Sequence, residues 1–554
     1  MINRSILFFL IVLAFRANSQ VELVPLENPV YIFLKQQYIK GNLDAYDDII
    51  VPHNRYLVEN YLQEIDTKYI SLSLTDKQQL DFFDTYFQFR GKNHTGVIAE
   101  EQIPFFSVLY EPRENHFINY QDSLISFRFD PRASLKAIRN NNSGFDSLSG
   151  VMQYGGKFIL NYEQNLAFEL DAWNGNVYSA RSPALAIKEV SQSLTFNKTG
   201  INNFDGTSGY IHYRSSIFNL HFGRNRILWG RGEHDKLTLG GEGQIFDYFN
   251  FNIGYKNLRY TFLHGWLVVG ITETYPDSIN KLKLKLPKHV AVSRLGYSPS
   301  RLFGIGVAQS VIYGGRPFEA AYLNPFLFWE SAQRSLNDID NSFLTFDISS
   351  VPVNGLEVSS TLMLDDIHFG NYFSEGFDTK SNRSAVQVNL LISNPLLPAG
   401  FDFFAEYTLI RPYTLSHPGF NETTAYTNNG YKLGASLEPN SVSYTIGLKG
   451  FIFPRLLAET GFRLVKHGAN VVDSSGTLIR NVGGDIRFSY DYFTPASTPL
   501  LDGELEITRT FFLKGSYYLS YNLTLSSYIQ FSASSSATRR FSRILFVSLS
   551  YGFL

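Results

Sequence analysis

The chain contains no cysteine, and only 3 of its 554 residues are Met and 4 are Trp. The lack of cysteine excludes disulfides, thiolate metal sites and a lipid-modified N-terminal cysteine. Charged residues make up only 18 % of the chain, below the ~25 % of ordinary soluble domains. The 48 Lys plus Arg are balanced by 50 Asp plus Glu, so no basic field indicates nucleic acid as a partner.

Long hydrophobic runs are absent as well. The nearest candidate beyond the N-terminus, 263–271, is about half as long as a membrane-spanning helix requires. Residues 1–19 have the layout of a secretory signal peptide, with Arg4 before an apolar run at 6–15 and small residues at 17–19. We therefore expect an exported protein without a membrane-spanning helix.

Residues 20–100 are predicted to form a small helical domain. A first helix is capped by Asn28 and ends at Gly41, and a second has an apolar stripe over 57–65. A third helix is predicted to start at Thr75 with a capping box. Short helices with apolar stripes need a partner to pack against, which indicates a plug or bundle.

From about residue 115 the hydrophobic period changes from helical to alternating. Clean alternation occurs at 124–130, 385–392, 486–493 and 518–531, and turn clusters rich in Gly, Asn and Asp separate such runs. The pattern predicts antiparallel β-strands. Alternation alone is compatible with a soluble sandwich, a propeller or a membrane barrel, but the sequence has no fixed-period repeat of the propeller kind.

A transmembrane β-barrel over 115–554 is favoured by the residue types on the two strand faces. The chain is rich in aromatic residues, with 34 Tyr and 48 Phe. On the predicted outward face, Tyr and Phe occur at strand ends, as aromatic girdles require. The other face is rich in Ser, Asn, Thr, Gln and Arg, which suits a wet lumen. About 440 residues at roughly 24 per strand predict about 18 strands, within a range of 16–20.

The C-terminal stretch "ILFVSLSYGFL" supports the barrel. It resembles the signal that the barrel-assembly machinery reads on outer-membrane barrels, with Leu554 where Phe is usual. The apolar residues on one face of this strand are Leu545, Val547, Leu549, Tyr551 and Phe553.

The block "FGRNRILWGRGEHDKLTLGG" (222–241) follows a predicted hairpin. Arg224 and Arg226 share a face in an unbroken strand and should face the lumen or a rim, because lipid disfavours charge. One interpretation is a lumenal site where these arginines and Arg231 meet acidic sugars or phosphate, with Trp229 as a stacking surface. The more economical alternative is an internal salt-bridge network that holds barrel and plug together.

A second block, "YGGRPFEAAYLNP" with "DIDN" and the later "LMLDD", completes a family resemblance. Together with "FGRNRILWGRG", these blocks resemble the Wzi-type capsule assembly family of outer-membrane barrels, by motif over about 210–370. The resemblance implies an 18-stranded barrel with a helical plug on the periplasmic side that attaches capsular polysaccharide at the cell surface. The helical segment also resembles Bacteroidetes-type periplasmic modules, some of which contact the cell wall, so it is expected to act as a docking element as well as a plug.

Catalytic signatures are missing: the sequence has no G-x-S-x-G and no H-E-x-x-H. We expect Glu233, His234 and Asp235 to form an exposed polar turn, and Asp365 and Asp366 to lie at a strand end on the rim. The sequence therefore predicts a protein that is not an enzyme and that holds no cofactor or metal.

The function predicted from the sequence is non-catalytic binding, assembly or attachment of capsular or extracellular polysaccharide at the outer membrane. The expected partners are this polysaccharide, outer-membrane lipid, the barrel-assembly machinery, and periplasmic or cell-wall components. Two rivals remain: a porin-like solute channel, and an accessory barrel of a surface machine such as gliding motility or protein secretion. The polysaccharide-binding candidates are Arg224, Trp229, Arg231, Tyr313, Arg316, Tyr322, Asn324 and Trp329.

Overall fold

The fold is taken from a computed structural model of the chain. It describes residues 20–90 and 113–552, except for 143–144, 194, 198–199, 242, 270–272, 275–282, 285, 338–339, 366–381, 394–399, 418–421, 491–493, 495–496 and 536–538. The predicted signal peptide, Asp366 and Phe553 lie outside the described residues.

Three helices form the N-terminal domain: α1 (Val30–Lys40), α2 (Arg55–Thr67) and α3 (Leu74–Phe87). Gly41 ends α1 in the left-handed region, as predicted. The capping box of α3 was predicted at Thr75, two residues too late. The cap of α3 is Ser73, whose hydroxyl accepts the N–H of Asp76 at 3.1 Å.

The remaining chain closes into an antiparallel barrel of 18 strands, which confirms the predicted fold class. The barrel strands are β1 (Ile125–Asn142), β2 (Phe145–Tyr162), β3 (Leu166–Ser179), β4 (Asn203–Arg214), β5 (Phe218–Asn225), β6 (Phe246–Tyr255), β7 (Leu258–Leu267), β8 (Lys288–Ser300), β9 (Phe303–Gly314), β10 (Asn341–Val353), β11 (Leu356–Asp365), β12 (Arg383–Ile392), β13 (Phe401–Ile410), β14 (Ser441–Phe453), β15 (Leu456–Ala469), β16 (Glu504–Tyr518), β17 (Leu523–Ser535) and β18 (Arg539–Tyr551).

The barrel closes between its first and last strands. β18 pairs with β1 over 133–142, and the short strand Ile118–Gln121 pairs with the part of β1 that β18 does not reach. This edge of β1 is thereby paired over 126–129 and 133–142, which limits the open sheet edge that lipid disfavours.

Two sequence expectations about strands are wrong in detail. Residues 519–522 form the tight turn before β17 instead of the start of a strand. Tyr521 therefore packs against Tyr86 of α3, with ring centroids 5.0 Å apart, instead of facing outward. The described part of 486–493 is an irregular segment without a strand partner, and Ile486 is buried in the barrel interior.

The two faces of the barrel wall differ as a membrane barrel requires. Outward side chains are apolar and exposed, for example Leu135, Leu148 and Val547. Tyrosines ring the end of the barrel where the turns are short, which matches an aromatic girdle. These exposed tyrosines are Tyr120, Tyr162, Tyr213, Tyr255 and Tyr297.

The N-terminal helices pack against this short-turn end. Their apolar core includes Phe451 and Tyr518 from the barrel wall, and Gln36 donates a hydrogen bond to the carbonyl of Gly400 at 3.0 Å. The described helices are all too short or too polar to cross a membrane.

Long loops at the other end fold into the barrel. The β5–β6 loop (226–245) and the β13–β14 loop (411–440) share one apolar core inside the lumen, which includes Trp229, Leu237, Tyr426 and Leu433. The two loops are joined by hydrogen bonds, for example from the Tyr426 hydroxyl to the carbonyl of Thr238 at 2.8 Å. The lumen beside β6–β15 is therefore packed with protein.

The β9–β10 loop (315–340) takes a different course and lies on the outer wall of the barrel. It contains a short helix, α4 (Trp329–Leu336). Trp329 packs edge-on against Phe262, an outward residue of β7, with centroids 6.2 Å apart. The hydroxyl of Tyr260, further along β7, donates to the carbonyl of Pro325 at 2.5 Å. This loop thus covers the outward face of β7–β9.

Candidate functional site

The arginine-rich block meets the N-terminal domain inside the barrel. Residues Ile50–Val51 pair as a two-residue antiparallel ladder with Leu228–Trp229, and the N–H of Gly230 donates to the carbonyl of Ile49 at 2.9 Å. The plug, from one end of the barrel, and the inward loop, from the other, thereby share backbone hydrogen bonds.

Buried ion pairs reinforce this junction. Arg231 lies 3.4 Å from Asp48 of the plug and 3.1 Å from Asp347 of β10. Asp347 also accepts two hydrogen bonds of 2.8 Å from Arg294, and Lys35 of α1 pairs with Asp48 and, at 2.6 Å, with Glu357. We call the side chains of Lys35, Asp48, Arg231, Arg294, Asp347 and Glu357 the latch cluster.

The electrostatics of the latch cluster favour the charged form of Asp48. Burial alone would raise the pKa of Asp48, but the Lys35 ammonium and the Arg231 guanidinium outweigh burial and hold the pKa of this carboxyl well below its usual range. Because every charge faces an opposite charge, the cluster suits a permanent lock better than a site that exchanges anions. Arg231 thus lies in an internal salt-bridge network between the N-terminal domain and the barrel wall.

The segment expected to be an exposed polar turn is instead enclosed by the barrel wall. The backbone N–H groups of Glu233, His234 and Asp235 all donate to the carboxylate of Glu406, at 2.8, 2.9 and 3.1 Å. Asp235 pairs with Arg463, and Glu233 pairs with Lys449. The expectation was wrong because it assumed that the loop points into solvent, whereas this loop folds into the lumen.

Arg224 and Arg226 do not share a face, contrary to expectation. Arg224 is on the outward face at the long-loop end of β5, with Asp247 2.5 Å away on the neighbouring strand. The strand ends at Asn225, and Arg226 turns into the lumen towards Glu27, at 2.8 Å. The end of the strand separates the two cations.

The other candidates belong to the outer-wall loop and its base. Tyr313, Tyr322 and Trp329 are fully buried in one aromatic cluster. Arg316 is partly exposed and makes two hydrogen bonds, of 2.9 and 2.6 Å, to Asp340. Asn324 is exposed, and its carbonyl accepts the Trp329 indole N–H at 3.2 Å. Most of these side chains thus hold the loop on the wall.

Sequence reasoning missed a cavity on the opposite side of the lumen, beside β1–β4 and β16–β18. It has a volume of about 660 Å³. Its floor is the N-terminal segment 23–27, and its roof is the β3–β4 loop (180–202), whose Val190 and Phe196 pack on the lumenal wall. Trp173 faces this cavity from the wall. The only feature of the sequence that indicates this cavity is the position of Trp173 among the inward residues of β3.

Within the part of the chain that the structure describes, no group of three or more His, Asp or Glu residues has the arrangement of a metal site. Asp365, at the end of β11, is buried beside Arg383 at 3.5 Å instead of lying exposed on the rim.

No family model and no curated protein matches the chain. Among solved structures, it is similar to Wzi of Escherichia coli, described as an outer-membrane protein involved in group 1 capsule assembly and a carbohydrate-binding β-barrel. The identity is 12 % and the TM-score 0.55, covering 95 % of this chain and 98 % of Wzi. OprD of Pseudomonas aeruginosa matches with 11 % identity and a TM-score of 0.39. The match covers 77 % of this chain and 96 % of OprD. OccAB4 of Acinetobacter baumannii matches with 10 % identity and a TM-score of 0.43. The match covers 78 % of this chain and 98 % of OccAB4. The likeness to Wzi is one of fold, including the closed barrel over nearly the full length of both chains.

Proposed function

We propose that this protein is an outer-membrane barrel that binds capsular or extracellular polysaccharide at the cell surface and helps to assemble or attach it, without catalysis. The short-turn end and the helical domain face the periplasm in this proposal, because short turns are periplasmic in such barrels. The long loops then face the cell exterior, where polysaccharide is met.

The observation that carries the proposal is the latch cluster. A solute channel needs an open lumen, yet here the plug and the β5–β6 loop are joined by buried ion pairs and a backbone ladder in mid-barrel. A barrel filled in this way presents a fixed surface instead of a pore. The likeness of fold to a carbohydrate-binding barrel supports polysaccharide as the ligand.

Arg224, Arg316 and Asn324 are the candidate contacts that are at least partly exposed, and Arg224 and Arg316 carry guanidinium groups at the long-loop end. We assign them the polar contacts to the sugar chain, since guanidinium groups form paired hydrogen bonds with carboxylates and hydroxyls. The buried Trp229, Arg231, Tyr313, Tyr322 and Trp329 hold the loops that shape the surface.

The test is retention of surface polysaccharide in a deletion strain. Complementation by the wild type should restore cell-bound polysaccharide, and Arg224→Gln with Arg316→Gln should restore it only in part. Arg334→Gln is the matched control, because Arg334 lies in the same outer-wall loop and is 79 % exposed in a helical pair with Glu330. If deletion leaves the polysaccharide on the cells, the attachment role is wrong.

A further inference from the structure

The lumenal cavity beside β1–β4 has features of a ligand site that the latch cluster does not use. Its volume of about 660 Å³ lies within the roughly 300–1,000 Å³ of small-molecule sites. The wall, the N-terminal segment, the β3–β4 loop and part of the β5–β6 loop line it. The cavity is thus bounded by four separate parts of the chain.

Gln153 of β2 gives the clearest sign of an expected ligand. Its side chain is 1 % exposed and lines the cavity. Among the described residues, neither its Oε1 nor its Nε2 has a hydrogen-bond partner. A buried amide without partners costs about 1–3 kcal/mol, so a ligand that both donates and accepts hydrogen bonds would relieve a real penalty.

Trp173 lines the cavity with an aromatic ring that the Arg132 guanidinium partly covers. Its ring lies over Gly206, where an added Cβ would be 2.3 Å from the ring. Glycine therefore lets the indole lie against the wall and leaves the cavity open. The indole Nε1 has no hydrogen-bond partner among the described residues, and the Arg132 guanidinium lies 5.0 Å from the ring centroid.

The charge of the lining selects among ligands. Four basic and five acidic side chains line the cavity, so their formal charges nearly cancel. Arg132 is already paired with Asp171, whose other oxygen, Oδ1, has no partner in the described structure. Such a balance disfavours phosphate and uronic acids. It suits hydroxyl groups, which donate and accept in equal measure.

We propose that this cavity binds a short segment of a neutral oligosaccharide, with one sugar ring packed against the accessible part of the Trp173 ring and its hydroxyls bonded to Gln153 and the free oxygen of Asp171. An aromatic ring beside hydroxyl-binding polar groups is the chemistry that recognises the apolar face and the polar rim of a sugar. This inference rests on the proposed function and names the sugar class and a lumenal subsite for it.

The test is calorimetric titration of the purified full-length protein in detergent with maltotriose, cellotriose and mannotriose, and with trigalacturonic acid as the acidic counterpart. At least one neutral trisaccharide should bind at millimolar concentration or below. Gln153→Met and Trp173→Ala should each weaken binding about tenfold, which corresponds to about 1.4 kcal/mol.

Trp266→Ala is the matched control, because Trp266 lies on the outward face of β7 and is partly exposed. This variant should bind the trisaccharide with the affinity of the wild type. Heat-modifiable gel mobility confirms that each variant is folded, and Trp173→Phe, which keeps a ring, should retain most of the affinity.

The inference is overturned if no neutral trisaccharide binds, if trigalacturonic acid binds more tightly, or if Gln153→Met and Trp173→Ala bind as the wild type does. These results are distinct from failure of the proposed function. Purified protein that binds neutral trisaccharides while deletion leaves cellular polysaccharide in place supports the cavity and refutes the attachment role. The reverse combination refutes the cavity alone.

Discussion

At the scale of residues, one sequence block contains two arginines with opposite environments. Arg231 is enclosed between Asp48 and Asp347, whereas the Arg224 side chain is 45 % exposed beside Asp247. Removing one partner of a buried pair leaves an uncompensated charge, whereas an exposed pair contributes little.

Arg231→Ala is therefore expected to destabilise the folded protein by about 3–5 kcal/mol, and Arg224→Ala by about 0–1 kcal/mol. Urea-induced unfolding of the detergent-solubilised protein measures both, and protease cleavage within 20–90 reports release of the plug. Equal effects of the two substitutions would show that Arg231 does not fasten the plug.

A second residue-scale prediction concerns pH. Burial, and next the nearby Arg463, lower the pKa of His234 to about 4, against about 6.5 in an unfolded chain. As pH falls, the unfolded state takes up this proton first, so the contribution to stability is complete above pH ~6.5 and is lost between ~6.5 and ~4.

The loss attributable to His234 is up to about 3 kcal/mol. His234→Gln, which stays neutral, should remove this part of the pH dependence. The loss of stability that protonation of Asp48 causes at lower pH should remain. The measurement is the free energy of unfolding at several pH values for both proteins. Parallel curves between pH 4 and 6.5 would contradict the assignment.

At the scale of elements, the outer-wall loop (315–340) is the feature with the clearest energetic consequence. Trp329 is buried against Phe262 and Tyr322, and its backbone N–H donates to Gln309 at 3.1 Å. Trp329→Ala should cost about 3–5 kcal/mol, measured by thermal unfolding in detergent. Trp266→Ala on the same wall, partly exposed, should cost clearly less; a reversed order would mean that the loop is not docked there.

The strands were largely predictable from the sequence, because alternation has a fixed period of two and both faces of the wall are chemically distinct. The hairpin β4–β5 was correctly predicted, with Ile211 and Phe222 outward and His212 and His221 inward. Alternation misled at 486–493, where the described residues, 486–490, form no strand and Ile486 is buried in the lumen.

The site was less predictable, because loop direction depends on contacts distant in sequence. The block 222–241 contains its arginines, but nothing local states that Asp48 and Asp347 would enclose Arg231. The same holds for the outer-wall loop, whose aromatic residues would pack equally well on a lumenal partner. Gln153 and Trp173 are ordinary inward positions of two strands until the cavity between wall, plug and loop is formed.

At the scale of the whole molecule, other parts of the same chain fill much of the barrel lumen and cover its short-turn end. The helical domain packs on the short-turn end, and loops from the other end fill the lumen beside β6–β15. The latch cluster joins these parts by charges that are all paired. The proposed function requires that such a molecule works by binding and not by passage of solutes.

Single-channel recording of the purified full-length protein in planar bilayers shows whether solutes pass the lumen. The wild type should show no steady open level, and Arg231→Ala with Lys35→Ala, which removes two cations of the latch cluster, should show frequent openings. Arg224→Ala, the exposed counterpart, should behave as the wild type. A stable, large conductance of the wild type would contradict the proposed binding function and favour a solute channel.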